Sequence, residues 1–169
     1  MQVVLGLGGN QGDVLSTLVA ARSQLARWTH VLAASRVYRT SPVGPVAQPP
    51  FLNAALLVDD DHGLGELLDH CHELEAAAGR GRAREPRWGP RPLDLDLLAA
   101  RDVVHRGPGL ELPHPRLHER AFALVPAAEV AGDWRHPLLG RTLAALAADS
   151  FRSDPAAVAE VVPDDRWQT

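Results

Sequence analysis

Apolar positions follow two periods along the chain, and the switches between them mark out its elements. Residues 2–8, Gln-Val-Val-Leu-Gly-Leu-Gly, read as a first strand running into a turn at 9–13. Val14, Leu18, Ala21, Leu25 and Trp28 then recur at helical spacing, which predicts an amphipathic helix over 14–28 with Asp13 as its cap. Residues 31–39 and 51–58 read as the second and third strands, joined by a proline-stiffened loop over 40–50. Leu64, Leu67, Leu68, Cys71, Leu74 and Ala78 form one helical stripe over 63–78, and Gly79 stands past its end. Residues 92–99 return to period two, with Leu93, Leu95 and Leu97 alternating against Asp94 and Asp96. A short hairpin around 106–109, a helix approached through 113–122 and a last helix over 140–148 complete residues 1–150, read as one domain. The polar tail over 151–169 is expected at the periphery.

The strand over 92–99 carries the first sign of chemistry. Alternate residues on a strand point the same way, so the Asp94 and Asp96 Cα atoms would lie roughly 6.5–7 Å apart. Carboxylates held that close repel, and a cation between them relieves the repulsion. Oxygen-only ligands favour Mg²⁺ over zinc. Arg80, Arg82, Arg84, Arg87 and Arg91 stand just upstream and suit phosphate. The plainer alternative is a chance Asp-x-Asp beside a solvated basic surface. Glycines and prolines punctuate the loop over 80–91, which is expected to move as a lid while the carboxylates stay fixed.

Other positions leave two readings open. Asn53 shares a strand face with Phe51 and needs partners, either backbone groups or a ligand edge. The loop over 40–50 is either a rigid platform for a planar heterocycle or a plain connection. Glu75 sits in a last helical turn, where the dipole disfavours acid, so it is tolerated or has a specific task. Gly6, Gly8, Gly9 and Gly12 do not spell a dinucleotide fingerprint and read as a tight strand-to-helix turn. His114 and His118 lack a third zinc ligand.

Composition narrows the classes. The chain has 169 residues, 46% apolar and 22% charged, which suits one globular domain. A net charge of −4 argues against general nucleic-acid binding. The lone Cys71 precludes an internal disulfide, reads as core filling and fits a reducing cytosol. Neither a signal peptide nor a membrane span is expected. All 17 basic residues are arginine. Without lysine, a Walker A phosphate loop and Schiff-base chemistry are both excluded.

The motifs together resemble one family. The stretch Arg87-Trp88-Gly89-Pro90-Arg91-Pro92-Leu93-Asp94-Leu95-Asp96 resembles the signature of the 6-hydroxymethyl-7,8-dihydropterin pyrophosphokinases. Gly8-Gly9-Asn10, residues 38–45, Phe51-Leu52-Asn53-Ala54 and the run from His114 to Phe122 match further segments in the family's order. Gly9 stands where the family usually has serine, and Phe51 where tyrosine is common. The likeness covers nearly all of 1–148.

It implies a ferredoxin-like α+β sandwich, an antiparallel sheet with helices on both faces. It also implies transfer of pyrophosphate from ATP to the pterin's hydroxymethyl group, with release of AMP, in folate biosynthesis. Asp94 and Asp96 would hold two Mg²⁺ ions and, with Arg80 and Arg91, form the catalytic set. Glu75, Arg82, Arg87, Trp88, Arg91, His114 and Arg120 would bind ATP. Phe51 and Phe122 would sandwich the pterin. Gly8, Thr40, Pro42, Val43, Gly44 and Asn53 would complete its site. A cytoplasmic monomer with no nucleic-acid or membrane partner is expected. The rivals are a non-catalytic pterin- or nucleotide-binding protein of the same fold, and a nucleic-acid-binding module that the charge disfavours.

Overall fold

The first strand expected from the sequence is β1 (Gln2–Gly9), and it leads into α1 (Val14–Trp28). Asp13 caps that helix by accepting the Ser16 N–H at 3.2 Å, which satisfies one of the donors a helix start leaves open. The computed structural model describes residues 1–42, 47–81, 89–153, 158–163 and 165–168.

The single strand expected over 31–39 is two strands, β2 (His30–Ala34) and β3 (Val37–Thr40). The break falls at Ser35, which is buried. Its hydroxyl donates to the Arg36 carbonyl at 2.7 Å and accepts the Ala55 N–H at 2.8 Å. A side chain that bonds backbone groups itself competes with the ladder, and the chain steps sideways there. Both pieces pair with β4 (Phe51–Asp59), β2 along its second half and β3 along its first. After α2 (Leu64–Ala77), β5 (Asp94–Ala100) returns to pair with β1.

The main sheet runs β5-β1-β4-β3 with antiparallel neighbours throughout, and β2 branches from β4. This is the ferredoxin-like α+β arrangement. The two faces of the sheet bury separate cores. Val3, Leu5, Leu7, Leu95 and Leu97 pack against Leu18 and Leu25 of α1 and Leu67 and Cys71 of α2. On the opposite face Val4, Ala55 and Leu98 pack against α3 (Ala121–Ala131) and α4 (Leu143–Ser153). Strand alternation assigns these faces. The last of these helices begins three residues later than expected from its start at 140, because the Thr142 hydroxyl accepts the Ala145 N–H at 3.2 Å. A hairpin of β6 (His105–Gly107) and β7 (Leu110–Leu112) lies between β5 and α3.

The tail forms an edge strand. β8 (Val158–Val162) pairs antiparallel with β3 as the sixth strand. The short α5 (Asp165–Gln168) then carries Trp167 into the first core, where it is 1% exposed. Its indole N–H donates to the Ser35 carbonyl at 2.6 Å, and the Arg22 guanidinium lies 5.6 Å from its ring centre. On the other side of β3, Glu129 of α3 accepts from the Arg36 backbone at 2.8 Å and from the Tyr38 hydroxyl. These bonds hold α3, and so Phe122, at a fixed distance from β3.

Candidate active site

Pairing between strands builds the floor of the site. On β5, Asp94 lies opposite Gly8 and Asp96 opposite Gly6 of β1. On the other side of β1, Gly8 lies opposite Asn53 and Gly6 opposite Ala55. Two carboxylates therefore face two positions with no side chain, and a strip of bare backbone opens beside them. Above it lies a cavity of about 490 Å³. The sheet, the first residues of α3 and the segment 114–120 enclose it.

Gly8 is set by contact. A Cβ there would stand 2.5 Å from the Asn53 side-chain oxygen, closer than any van der Waals contact allows. Asn53 is 8% exposed and donates its Nδ2–H to the Thr40 hydroxyl at 2.7 Å. Its partner is thus a neighbouring side chain, and the amide oxygen is held flat over Gly8. Gly8→Ala is expected to push Asn53 out of this register. If Asn53 reads the pterin edge, as the family resemblance implies, the loss of one or two hydrogen bonds there should raise the pterin KM about tenfold to a hundredfold. Steady-state assays that vary pterin at saturating ATP check this, and an unchanged pterin KM would count against the Asn53 assignment.

Opposite charges gather around Asp94. Arg80 bridges Asp94 and Glu75, and the Arg91 Nε lies 3.2 Å from the second Asp94 oxygen. Local structure explains Arg80. Gly79 at φ +91° ends α2, and the Arg80 N–H folds back to the Glu75 carbonyl at 3.0 Å. Glu75 itself is fully buried and accepts the Leu95 N–H at 2.7 Å. Its carboxylate faces the free edge of β5, and it is not among the residues lining the cavity.

Asp96 is different. Among the described residues no hydrogen bond or ion pair engages its carboxylate. Burial, and then the Asp94 carboxylate, push it up to about 6. A hard cation would offset both by favouring the charged carboxylate. The oxygen-only donor pair and the empty glycine positions beside it fit Mg²⁺. Among the described residues no cluster of three or more His, Cys, Asp or Glu side chains could hold a metal. Remaining ligands would then come from water and substrate, as Mg²⁺ prefers.

The far wall is cationic. A β-bulge at Leu98 frees its carbonyl, which accepts the His114 N–H at 2.7 Å and so seats His114 in the cavity. The His114 Nδ1 accepts the Arg116 N–H at 3.1 Å, which leaves its proton on Nε2. Burial, and then Arg120, lower His114 to about 4, so the ring is neutral at pH 7. Arg120 lies 3.5 Å from His114 Nε2 and 5.7 Å from the Phe122 ring centre. Arg91 sits 5.5 Å from the Phe51 ring centre, with its buried Nε turned to the Asp94 carboxylate.

The cavity thus brings together Gly8, Thr40, Phe51 and Asn53 with Arg80, Arg91, Asp94 and Asp96. His114, Arg120 and Phe122 complete the set. Pro42 is described and lies outside its lining. Val43, Gly44, Arg82, Arg87 and Trp88 fall outside the described residues, as does most of the loop expected to act as a lid. Sequence reasoning missed Gly6 as part of the floor, although glycines at alternate strand positions signal it. It did not single out Gln48, Ser41 or Arg116, although they lie within the loop over 40–50 and the run from His114 to Phe122 that it marked.

Fold and site together define a ferredoxin-like α+β enzyme with paired carboxylates and guanidinium groups suited to a phosphorylated substrate. The chain belongs to the 7,8-dihydro-6-hydroxymethylpterin-pyrophosphokinase family, whose profile matches residues 4–132. A relative from Methylorubrum extorquens named 2-amino-4-hydroxy-6-hydroxymethyldihydropteridine pyrophosphokinase is 46% identical over 131 residues, covering 76% of this chain and 82% of that protein. A relative of the same name from Mycobacterium tuberculosis is 42% identical over 135 residues, covering 74% and 70%. Among solved structures, a Plasmodium falciparum HPPK-DHPS with pteroate superposes with a TM-score of 0.63 at 12% identity, over 90% of this chain and 44% of that one. This chain spans less than half of that longer protein, and the likeness is one of fold.

Proposed function

We propose that the chain transfers a pyrophosphoryl group from ATP to the hydroxymethyl group of 6-hydroxymethyl-7,8-dihydropterin, leaving AMP. The observation that carries this reading is the Asp94–Gly8–Asn53 row across the sheet. It puts a cation-binding carboxylate and a heterocycle-reading amide on one floor, with a side-chain-free residue between them. Donor and acceptor substrates can meet over that glycine.

Each side chain has a task in this reaction. Asn53, held by Thr40, reads the polar edge of the pterin, and Phe51 and Phe122 close on its faces. Arg91 and Arg120 receive phosphate oxygens, and neutral His114 donates from Nε2. Arg80 sits on Asp94 and moves onto phosphate when substrate arrives. Asp94 and Asp96 would hold two Mg²⁺ ions, which when bound neutralise the triphosphate and polarise its phosphorus centres. Phosphoryl transfer asks mainly for alignment and charge neutralisation, and these residues supply both. Arg82, Arg87 and Trp88 on the ATP side, and Pro42, Val43 and Gly44 on the pterin side, keep the roles the family resemblance gives them. We take the protein to work as a cytoplasmic monomer, and its net charge of −4 disfavours nucleic-acid partners. No helix among the described residues is long and apolar enough to cross a membrane.

The test is product identity. Incubation with ATP, Mg²⁺ and 6-hydroxymethyl-7,8-dihydropterin should release AMP only when all three are present. Release of ADP, or AMP release without the pterin, overturns the reading.

A further inference from the structure

Asn10 follows β1 at the corner where the two halves of the site meet, and it is 6% exposed. It bonds in two directions. Toward β5 its backbone N–H donates to the Arg91 carbonyl at 2.9 Å, and its Oδ1 accepts the Arg91 N–H at 2.9 Å. Toward β4 its Nδ2 donates to the Gln48 side-chain oxygen at 2.9 Å and to the Pro49 carbonyl at 3.0 Å. Both amide donors and the acceptor are thus in use. The corner is tight below as well, since a Cβ on Gly9 would stand 2.5 Å from the Pro92 carbonyl oxygen.

The groups tied by this amide belong to opposite sides of the site. Arg91 reaches Asp94 and lies over Phe51. Gln48 and Pro49 run directly into Phe51, the first residue of β4, and Asn53 follows two residues later. A change in the Arg91 backbone alters Oδ1, and the same planar amide carries that change through Nδ2 to residues 48–49. An ordinary turn asparagine bonds its own backbone a residue or two away. Asn10 instead bridges segments 38 and 81 residues distant.

We propose that Asn10 is a positioning residue that couples occupancy of the phosphate side to occupancy of the pterin side. The inference rests on the two-substrate reading above. Coupling between sites is reciprocal, so the same factor is measurable from either ligand. The experiment is calorimetry on the full chain with 6-hydroxymethyl-7,8-dihydropterin and Mg²⁺ plus α,β-methylene-ATP, each titrated with and without the other. The wild-type chain should show each ligand tightening the other by about tenfold or more.

Asn10→Asp keeps the acceptor facing the Arg91 N–H and replaces the donors with an oxygen facing two other oxygens. Its coupling factor should fall close to one, while each ligand alone binds within about threefold of wild type. Gln48→Ala removes one of the two far acceptors and should lower the factor partway. It carries the test if the Asn10→Asp variant does not fold. Loss of a direct contact would weaken pterin binding equally with and without the nucleotide and leave the factor unchanged. A wild-type factor of one, or a full wild-type factor in folded Asn10→Asp or in Gln48→Ala, overturns the inference. A wild-type chain that binds neither ligand overturns the two-substrate reading instead.

Discussion

Asp96→Asn is expected to lower kcat by about a thousandfold or more, since removing a charged group that acts on the transferring phosphate costs several kcal/mol of transition-state stabilisation. The same substitution should make the metal-free protein more stable at pH 7. The folded Asp96 titrates near 6, above its ordinary 3.8, because burial and Asp94 disfavour its charge. Between those values the unfolded chain binds fewer protons than the folded one, so stability falls as pH rises. Below about pH 4 the penalty is absent, and above about 6 it is complete. Asparagine resembles the protonated acid and escapes it. Thermal melts without metal should show a gain of about 1–3 kcal/mol at pH 7 that vanishes near pH 4. With Mg²⁺ added, wild type should gain stability by mass action and the variant should not. Near-normal turnover of Asp96→Asn at saturating Mg²⁺ would reject the assignment, and equal melts at pH 7 would reject the electrostatic account.

That trade between activity and stability belongs to the geometry the sequence already displays. Period-two alternation puts Asp94 and Asp96 on one face and Leu95 and Leu97 on the other, and this is a local property of the chain. The same holds for α1 and α2, whose stripes repeat every three or four residues. What the sequence does not display is register. Nothing local says that Gly8 faces Asp94 on one side and Asn53 on the other, because strand pairing is settled by contacts dozens of residues apart. Asn10 was visible as a turn residue and as part of the Gly8-Gly9-Asn10 motif, but not as a bridge between distant segments, for the same reason. Trp167 finds its hydrogen-bond acceptor, the Ser35 carbonyl, 132 residues away, so its burial left no pattern in its own neighbourhood. Asn53 was flagged by its polarity in an apolar run, but its partner Thr40 lies on another strand.

Glu75 shows how a site residue can be legible in place and not in task. The family resemblance sets it on the ATP side, and its position at the C-terminal end of α2 is unfavourable for an acid. In the structure its carboxylate is 1% exposed and lies behind Arg80. It accepts the Leu95 N–H, a donor on the edge of β5 that no strand among the described residues satisfies, and it pairs with Arg80. Two favourable bonds to a charged acceptor offset the helix-end penalty and fix β5 between its two aspartates. Glu75→Ala removes one partner of a buried ion pair and should cost about 3–5 kcal/mol, a large share of a domain's total stability. Urea midpoints measure this.

Glu75→Gln separates position from contact. The amide oxygen can still accept from Leu95, so the fold should survive, while Arg80 loses its anchoring charge and Asp94 its register. A misplaced catalytic group shows in kcat, so kcat should fall about tenfold while the ATP KM moves less than about threefold. The opposite split, a raised ATP KM at unchanged kcat, would make Glu75 a direct nucleotide contact and remove its role as the residue that holds the carboxylate strand in place.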